Sequence, residues 1–386
     1  MAVLHSFLSP VLLLAAWANT WPFALAQARG PRDIKNMFQV SFNPDVAGNC
    51  AGRENDFSQI IEDAYILSKA GIRAVSDSMD KDSKTRSEAD RLVRAIFQDP
   101  SDEERGKITR RFKFVRNFFQ EESTILHGAS KNKPYLFCSD SWRIREDMSS
   151  QMKDAEGNLM KDEKGSPYLI KDDKRMKSRQ KAAMRELGAS KAKYVFPYWC
   201  DGLKAYMFDK AFGNDPTQGP CSSGEKILGY TVWESKVGIG AVVLCNEAFV
   251  GGRLRSVKVD PFDDSVFAKG NKPPLKKTAI KTVSPMATTF YHELFHLLFA
   301  TAMDPENGEE YQFKRMTGKE ARVGTKGTQE TFSKEQAIQN PHSYVYTSIA
   351  YDYTQNEKYT GKDSNDSGKD KTYPIEFYTG WATYNA

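Results

Sequence analysis

The chain has 386 residues, of which 27% are charged and 40% are hydrophobic, and its formal net charge is +5. This balance excludes a wholly disordered chain, a collagen and a multi-pass membrane protein. The small positive excess is mixed with abundant acidic residues, so it does not indicate the concentrated basic face of a nucleic-acid-binding protein. The length is sufficient for one large domain or two ordinary ones, each with a sizeable core.

The first 26 residues have the pattern of a secretory signal peptide. They contain no Lys, Arg, Asp or Glu, and Val11 to Ala18 form an apolar run that is too short to span a bilayer. The stretch ends in Ala24-Leu25-Ala26, a small-x-small cleavage pattern. We therefore predict that residues 1–26 are a cleaved signal peptide and that the mature chain is free and extracellular, with no membrane partner.

All five cysteines follow the predicted cleavage point: Cys50, Cys138, Cys200, Cys221 and Cys245. In a secreted protein this number predicts two disulfides and one free thiol. The sequence leaves the pairing open.

Three helices are predicted in the N-terminal third of the mature chain. Residues 55–71 carry apolar side chains at helical spacing, and Gly71 is expected to stop this helix. A second helix covers about 87–98, and Ser101 caps a third.

The composition changes over residues 144–190, which are rich in Lys, Asp and Glu, with turn signals at Gly157-Asn158 and Gly165-Ser166-Pro167. This charged insertion predicts a solvated hairpin or mobile segment, followed by a basic helix near 174–187.

Short runs rich in Val, Ile, Tyr and Trp follow at 194–199, 227–233 and 237–244, and they predict the strands of a small, mostly antiparallel sheet. Ser284-Pro285 then has the pattern of a helix start, and we expect this helix to run from about 285 to 302. Another helix is expected near 341–353.

The predicted elements define an α+β protein that is mainly helical. We expect a single domain over residues 27–360, and residues 361–386 are expected to form a polar C-terminal tail.

The chemistry is concentrated in His292-Glu293-Leu294-Phe295-His296, an H-E-x-x-H motif inside the predicted 285–302 helix. Residues four apart share one face of a helix, so both imidazoles can bind one ion. Glu293 is then placed beside the ion, where it can take a proton from a zinc-bound water as a general base. The alternative, three core residues in an ordinary hydrogen-bond network, requires a buried apolar helix to satisfy three polar side chains.

A catalytic zinc site normally has a third protein ligand, and the sequence leaves its identity open. The candidates downstream of His296 are acidic residues around a turn and one distant histidine: Asp304, Glu309, Glu310 and His342. His342 follows Asn340-Pro341 at a predicted helix start, which favours a position on the surface.

These residues resemble the deuterolysin-like aspzincins, in particular fungal secreted domains similar to lysine-specific metallo-endopeptidases. The resemblance rests on HELFH at 292–296, on NGEEY at 307–311 and on NPHSYVYTSIAYDY at 340–353. It covers about a third of the chain, and HELFH is its one highly specific part. The family implies a zincin-like fold with a central HExxH helix and one Zn²⁺ per chain, held by two histidines and an aspartate in a GTxDxxYG-like turn.

This chain departs from the family in that turn, because three positions before Tyr311 stands Gly308, which has no side chain. The resemblance therefore implies Glu309 as the substitute third ligand and Tyr311 as the donor to the oxyanion, with Asp304 as the alternative ligand.

The leading hypothesis is a secreted, monomeric zinc endopeptidase that hydrolyses protein or peptide substrates. Two alternatives are a zincin-fold secreted protein that has lost catalysis and acts by binding zinc or a host surface, and a structural protein in which HELFH is coincidental. The sequence does not reveal the cleavage preference, and no acidic pocket of the kind that lysine specificity requires is recognisable in it.

Overall fold

The computed structural model describes residues 30–120, 133–187, 195–224, 226–234, 239–250, 254–258, 278–303, 309–320, 322–323, 329–355 and 375–382. The described residues from Pro31 onward belong to one unit. The predicted signal peptide lies outside the described residues.

Helices make up most of the described secondary structure. They are α1 (Ile34–Met37), α2 (Glu54–Met79), α3 (Arg86–Ile96), α4 (Asp102–Gln120), α5 (Lys174–Leu187), α6 (Ala287–Phe299), α7 (Phe313–Met316), α8 (Lys334–Gln339) and α9 (Pro341–Gln355). The predicted cap of α4 is present: the Ser101 hydroxyl accepts from the Glu104 N–H, and the Glu104 carboxylate accepts from the Ser101 N–H.

The prediction that Gly71 ends the first long helix is wrong, since α2 continues to Met79. Gly71 lies where α2 crosses α4, and a Cβ added to it would overlap the ring of Phe112. The glycine is therefore needed for close approach of two helices and not for a turn.

The described strands form three sheets. They are β1 (Gln39–Val40), β2 (Tyr135–Phe137), β3 (Arg143–Arg145), β4 (Val195–Cys200), β5 (Ala205–Lys210), β6 (Gly229–Glu234), β7 (Ile239–Leu244), β8 (Arg322–Val323) and β9 (Gln329–Glu330). The four-stranded sheet has the order β1-β2-β7-β6, the three-stranded sheet has the order β3-β4-β5, and β8 pairs with β9. The predicted runs correspond to β4, β6 and β7.

The four-stranded sheet differs from the small, mostly antiparallel sheet that we expected. β1 pairs parallel with β2, β2 pairs parallel with β7, and only the β6–β7 pair is antiparallel in this sheet. Parallel neighbours need long crossover connections. Helices α2 to α4 supply one between β1 and β2, and the three-stranded sheet with α5 lies in the other.

The charged insertion is ordered over its described part. Isolated antiparallel bridges join Gln151 to Leu169, Lys153 to Leu159 and Lys161 to Pro167. The segment buries a small apolar cluster against the three-stranded sheet: Met152, Ile170, Met176, Trp199 and Tyr206. Helix α5 then occupies the range predicted for the basic helix.

Helix α6 carries the HELFH motif through the main core. It begins at Ala287, and its last turn gives way to a 3-10 helix at Ala300–Met303, close to the end predicted at 302. Ser284 is not its cap, because the Ser284 hydroxyl donates to the Ile280 carbonyl. Apolar side chains of α6 meet the N-terminal helices and α9, for example where the Phe295 ring lies 4.8 Å from the Tyr344 ring.

The end of the predicted polar tail belongs to the core. Ile375 and Phe377 are each 1% exposed, and the Ala382 N–H donates to the Thr278 carbonyl. Apolar residues separated by one polar position gave too short a signal to distinguish this segment from the polar stretch before it.

Two disulfides are present, as predicted from the cysteine count. Cys50 is bonded to Cys138 and Cys221 to Cys245, while Cys200 is buried and lies outside both disulfides.

Within the part of the chain that the structure describes, no helix combines the length and apolar character needed to cross a membrane.

Candidate metal centre

The two histidines of the motif lie on one face of α6, as residues four apart must. The ring centroids of His292 and His296 are 5.1 Å apart, and their side chains are 6% and 18% exposed. Both rings therefore face the same small, mostly buried volume.

Glu309 reaches this volume from a separate segment, beyond residues 304–308, which are not described. Its Oε1 atom lies 2.6 Å from Nε2 of His296, and its Oε2 atom lies 3.1 Å from Nε2 of His292. The three side chains thus bring one ligand atom each within 4.8 Å of one another.

The surroundings of Glu309 favour its charged form. Burial opposes ionisation of Glu309, but hydrogen bonds and positive charge from His292 and His296 outweigh it and hold the pKa of Glu309 well below its usual range. The carboxylate is therefore the form in which Glu309 faces the histidines.

Glu293 points to the neighbouring strand. The Thr231 hydroxyl on β6 donates to Glu293 Oε2 over 2.7 Å and also lies 3.2 Å from the Glu293 carbonyl oxygen. Burial raises the pKa of Glu293. The two histidines and the hydrogen bond from Thr231 lower this pKa, but burial has the larger effect, so the net shift is upward. A carboxyl with a raised pKa is suited to accept and return a proton near neutral pH.

Tyr311 lies over the opening of the group. Its ring stacks on His292 with centroids 5.8 Å apart, and its hydroxyl donates to Glu309 Oε2. The residue is 54% exposed, so it is the member of the cluster most accessible to a molecule arriving from solvent.

His342, for which the sequence favoured a surface position, contacts the centre directly. It is half-buried at the start of α9, and its Nδ1 atom lies 3.2 Å from Nδ1 of His292. Its ring also packs edge-on against Tyr346 at 4.5 Å and against Tyr311 at 4.9 Å. No local pattern could have indicated this, because the contact spans 50 residues.

The start of α9 also holds the segment that carries Glu309. Asn340 is fully buried, and its side-chain amide donates to the Glu310 carbonyl over 2.9 Å while its Oδ1 accepts from the Glu310 N–H over 3.4 Å. The Tyr346 hydroxyl donates to the Tyr311 carbonyl over 3.2 Å. Glu309 and Tyr311 are thereby fixed relative to α9.

A cleft of about 330 Å³ opens beside the group. It is lined by the segment entering β6, by the first turn of α6 and by site residues: Lys226, Ile227, Leu228, Gly229, Thr288, Thr289, His292, Glu293, Tyr311 and His342. Among these residues, Glu293 alone carries a carboxylate. β6 is the outer strand of its sheet among the described strands, so the cleft lies at a sheet edge.

Four of the predicted residues meet around one point, and the fifth lies beside them. His292, His296 and Glu309 bring their ligand atoms together, Tyr311 contacts His292 and Glu309, and Glu293 is adjacent on α6. The alternative ligand Asp304 lies outside the described residues. Glu310 is not part of the group, because its carboxylate accepts from the Gln312 N–H.

The donor set fits a zinc ion. Two imidazoles and one carboxylate are ligands that zinc takes in open, three-ligand sites, at about 2.0–2.2 Å. The 3.1 Å separation between His292 and Glu309 is close to the spacing of two ligands on such an ion, while the 2.6 Å contact with His296 requires the Glu309 side chain to withdraw slightly. A cleft lined by His292, Glu293 and Tyr311 opens on one side of the group.

Comparisons with known proteins identified no relative of this chain. No protein-family model, no curated protein and no solved structure matches this chain.

Proposed function

We propose that this protein is a secreted zinc endopeptidase with a zincin-like fold, related to the aspzincins. The observation that carries the proposal is the convergence of His292, His296 and Glu309 from two chain segments, with Glu293 beside them. Two imidazoles and the Glu309 carboxylate gathered in a mostly buried volume are costly to desolvate, and a bound cation would offset that cost.

The site residues have different proposed roles: some are metal ligands, one transfers a proton, and one donates a hydrogen bond. His292, His296 and Glu309 would hold the zinc, which when bound polarises the peptide carbonyl and lowers the pKa of water. Glu293 accepts the proton of the attacking water and returns it to the departing amine. Tyr311 donates a hydrogen bond to the oxygen on which negative charge develops.

The cleft indicates how a substrate would lie. β6 has an unpaired edge among the described strands and carries Thr231, which bonds the carboxylate of Glu293. An extended peptide added along this edge would form main-chain hydrogen bonds with β6 and place its carbonyl near the histidines. This mode of binding is suited to protein or peptide substrates.

Secretion is part of the same proposal. The pattern of residues 1–26 supports export, and the two disulfides are compatible with an oxidising compartment. We further propose that the mature protein acts as a monomer.

The test uses purified mature protein, with bound metal measured by atomic emission and cleavage measured on casein and a peptide library. We expect one zinc per chain, cleavage that is lost on chelation and restored by zinc, and a fall of about 10²- to 10⁴-fold in kcat for Glu293→Gln, since the proton carrier is removed. Glu335→Gln, at an exposed position on α8, is the matched control and should cleave as the wild type does.

Two results discriminate among the alternatives. Equal cleavage by Glu293→Gln would overturn the enzyme proposal. One zinc per chain with no cleavage of any substrate would instead support the non-catalytic zincin-fold binding protein.

A further inference from the structure

The contact between His342 and His292 indicates which ring nitrogens of these two histidines carry a proton. The two Nδ1 atoms are 3.2 Å apart, while Nε2 of His292 faces Glu309 on the opposite side of the ring. His292 therefore presents one ring nitrogen to the candidate metal position and the other to His342.

A neutral imidazole has one N–H and one lone pair, on different nitrogens. A metal at Nε2 of His292 takes the lone pair there, so the proton of His292 must be on Nδ1. A hydrogen bond over 3.2 Å between two Nδ1 atoms then requires Nδ1 of His342 to accept. The proton of His342 is consequently on its Nε2 atom.

The acceptor is held in place by packing on both sides. The His342 ring lies edge-on to Tyr346 and Tyr311, and α9 begins one residue earlier, at Pro341. An acceptor whose own position is fixed sets both the tautomer and the ring orientation of the ligand that bonds to it.

We infer that His342 is a positioning residue of the metal centre, which accepts the Nδ1–H of His292 and so aims the Nε2 lone pair of His292 at the metal. The inference rests on the zinc site of the proposed function and not on catalysis. The inference about His342 still holds if the protein binds zinc but cleaves no substrate.

The test compares zinc affinity in wild type, His342→Asn and His342→Phe by competition with a chromogenic chelator. Asn places an amide oxygen at the distance of imidazole Nδ1 and keeps the acceptor, whereas Phe keeps a ring between the tyrosines and loses the acceptor. We expect His342→Asn to bind zinc within about 3-fold of wild type and His342→Phe to bind about 10- to 100-fold more weakly.

If His342 only fills space, the reverse order of zinc affinity is expected. His342→Phe would then bind zinc as the wild type does, and His342→Asn would bind it more weakly. That order, equal affinity for all three proteins, or equal weakening of both variants would overturn the inference. A wild type that binds no zinc would overturn the proposed function itself, which the wild-type titration reveals before any variant is made.

A second measurement does not depend on the folding of a variant. Long-range ¹H–¹⁵N correlation of the histidine rings in the zinc-loaded wild type should show His292 protonated at Nδ1 and His342 protonated at Nε2. Protonation of His292 at Nε2, or of His342 at Nδ1, would overturn the inference.

Discussion

At the scale of single residues, the centre is made of side chains whose surroundings set their roles. Glu293 and Glu309 are both glutamates in one site, yet burial raises the pKa of Glu293 while the two histidines lower that of Glu309. The histidine nitrogens face Glu309 directly, whereas Glu293 turns to a neutral hydroxyl on β6. One carboxylate is thus suited to hold a cation and the other to carry a proton.

Tyr311 provides a residue-scale prediction. In Tyr311→Phe we expect kcat at saturating zinc to fall about 10²- to 10³-fold, because the proposed donor to the developing oxyanion is lost, whatever change in zinc affinity follows from losing the bond to Glu309. Steady-state kinetics and chelator competition on the same preparation measure both quantities. Tyr168→Phe, in the charged insertion, is the control. A large loss of zinc affinity with kcat unchanged at saturating zinc would show that the hydroxyl serves Glu309 instead.

At the scale of elements, close packing of helices forms the core in which α6 lies. α6 is held between the N-terminal helices and α9, and α2 approaches α4 through Gly71. Because interiors are densely packed, one added methyl group at such a crossing must displace its neighbours.

We expect Gly71→Ala to lower the free energy of unfolding by about 1–3 kcal/mol, since its Cβ meets the ring of Phe112. The matched control is Gly106→Ala on α4, where the nearest atom to an added Cβ is the flexible end of Arg110 at 3.7 Å. That change should be neutral or stabilise by up to about 1 kcal/mol, because alanine is the better helix former. Urea denaturation measures both, and equal stability of the two variants would contradict the packing argument.

At the scale of the whole molecule, long-range links join elements that are distant in sequence. The Cys50–Cys138 disulfide ties the segment before α2 to the end of β2, and the Cys221–Cys245 disulfide ties the segment before β6 to the end of β7. The first link spans 88 residues and the second spans 24. A longer closed loop removes more conformational freedom from the unfolded chain.

We therefore expect Cys50→Ala/Cys138→Ala to lose about 1 kcal/mol more unfolding free energy than Cys221→Ala/Cys245→Ala. Chemical denaturation of the two double variants at equal pH and zinc concentration measures this difference. A greater loss for the shorter loop would mean that local packing around Cys221 outweighs chain entropy.

Features that depend on neighbouring positions were predictable. The pairing of His292 with His296 on one face follows from helical periodicity, and the cysteine count predicted two disulfides and one free thiol. The basic helix and three of the strands also agree with their predicted ranges. Two of the errors have a common cause: at Gly71 and at residues 375–382, contacts with distant segments decided the conformation where the local pattern indicated a stop or a polar tail.

Helical spacing is a local property, and it was enough to predict part of the candidate metal centre: two imidazoles and a carboxyl within one and a half turns of a buried helix. Three other contacts became visible in the folded chain alone: Glu309 faces both imidazoles, Thr231 bonds Glu293, and His342 lies against His292. Those contacts join α6 to β6, to the segment at 309–312 and to α9. They depend on how helices and sheet pack around a common core, and no local spacing in the chain encodes that packing.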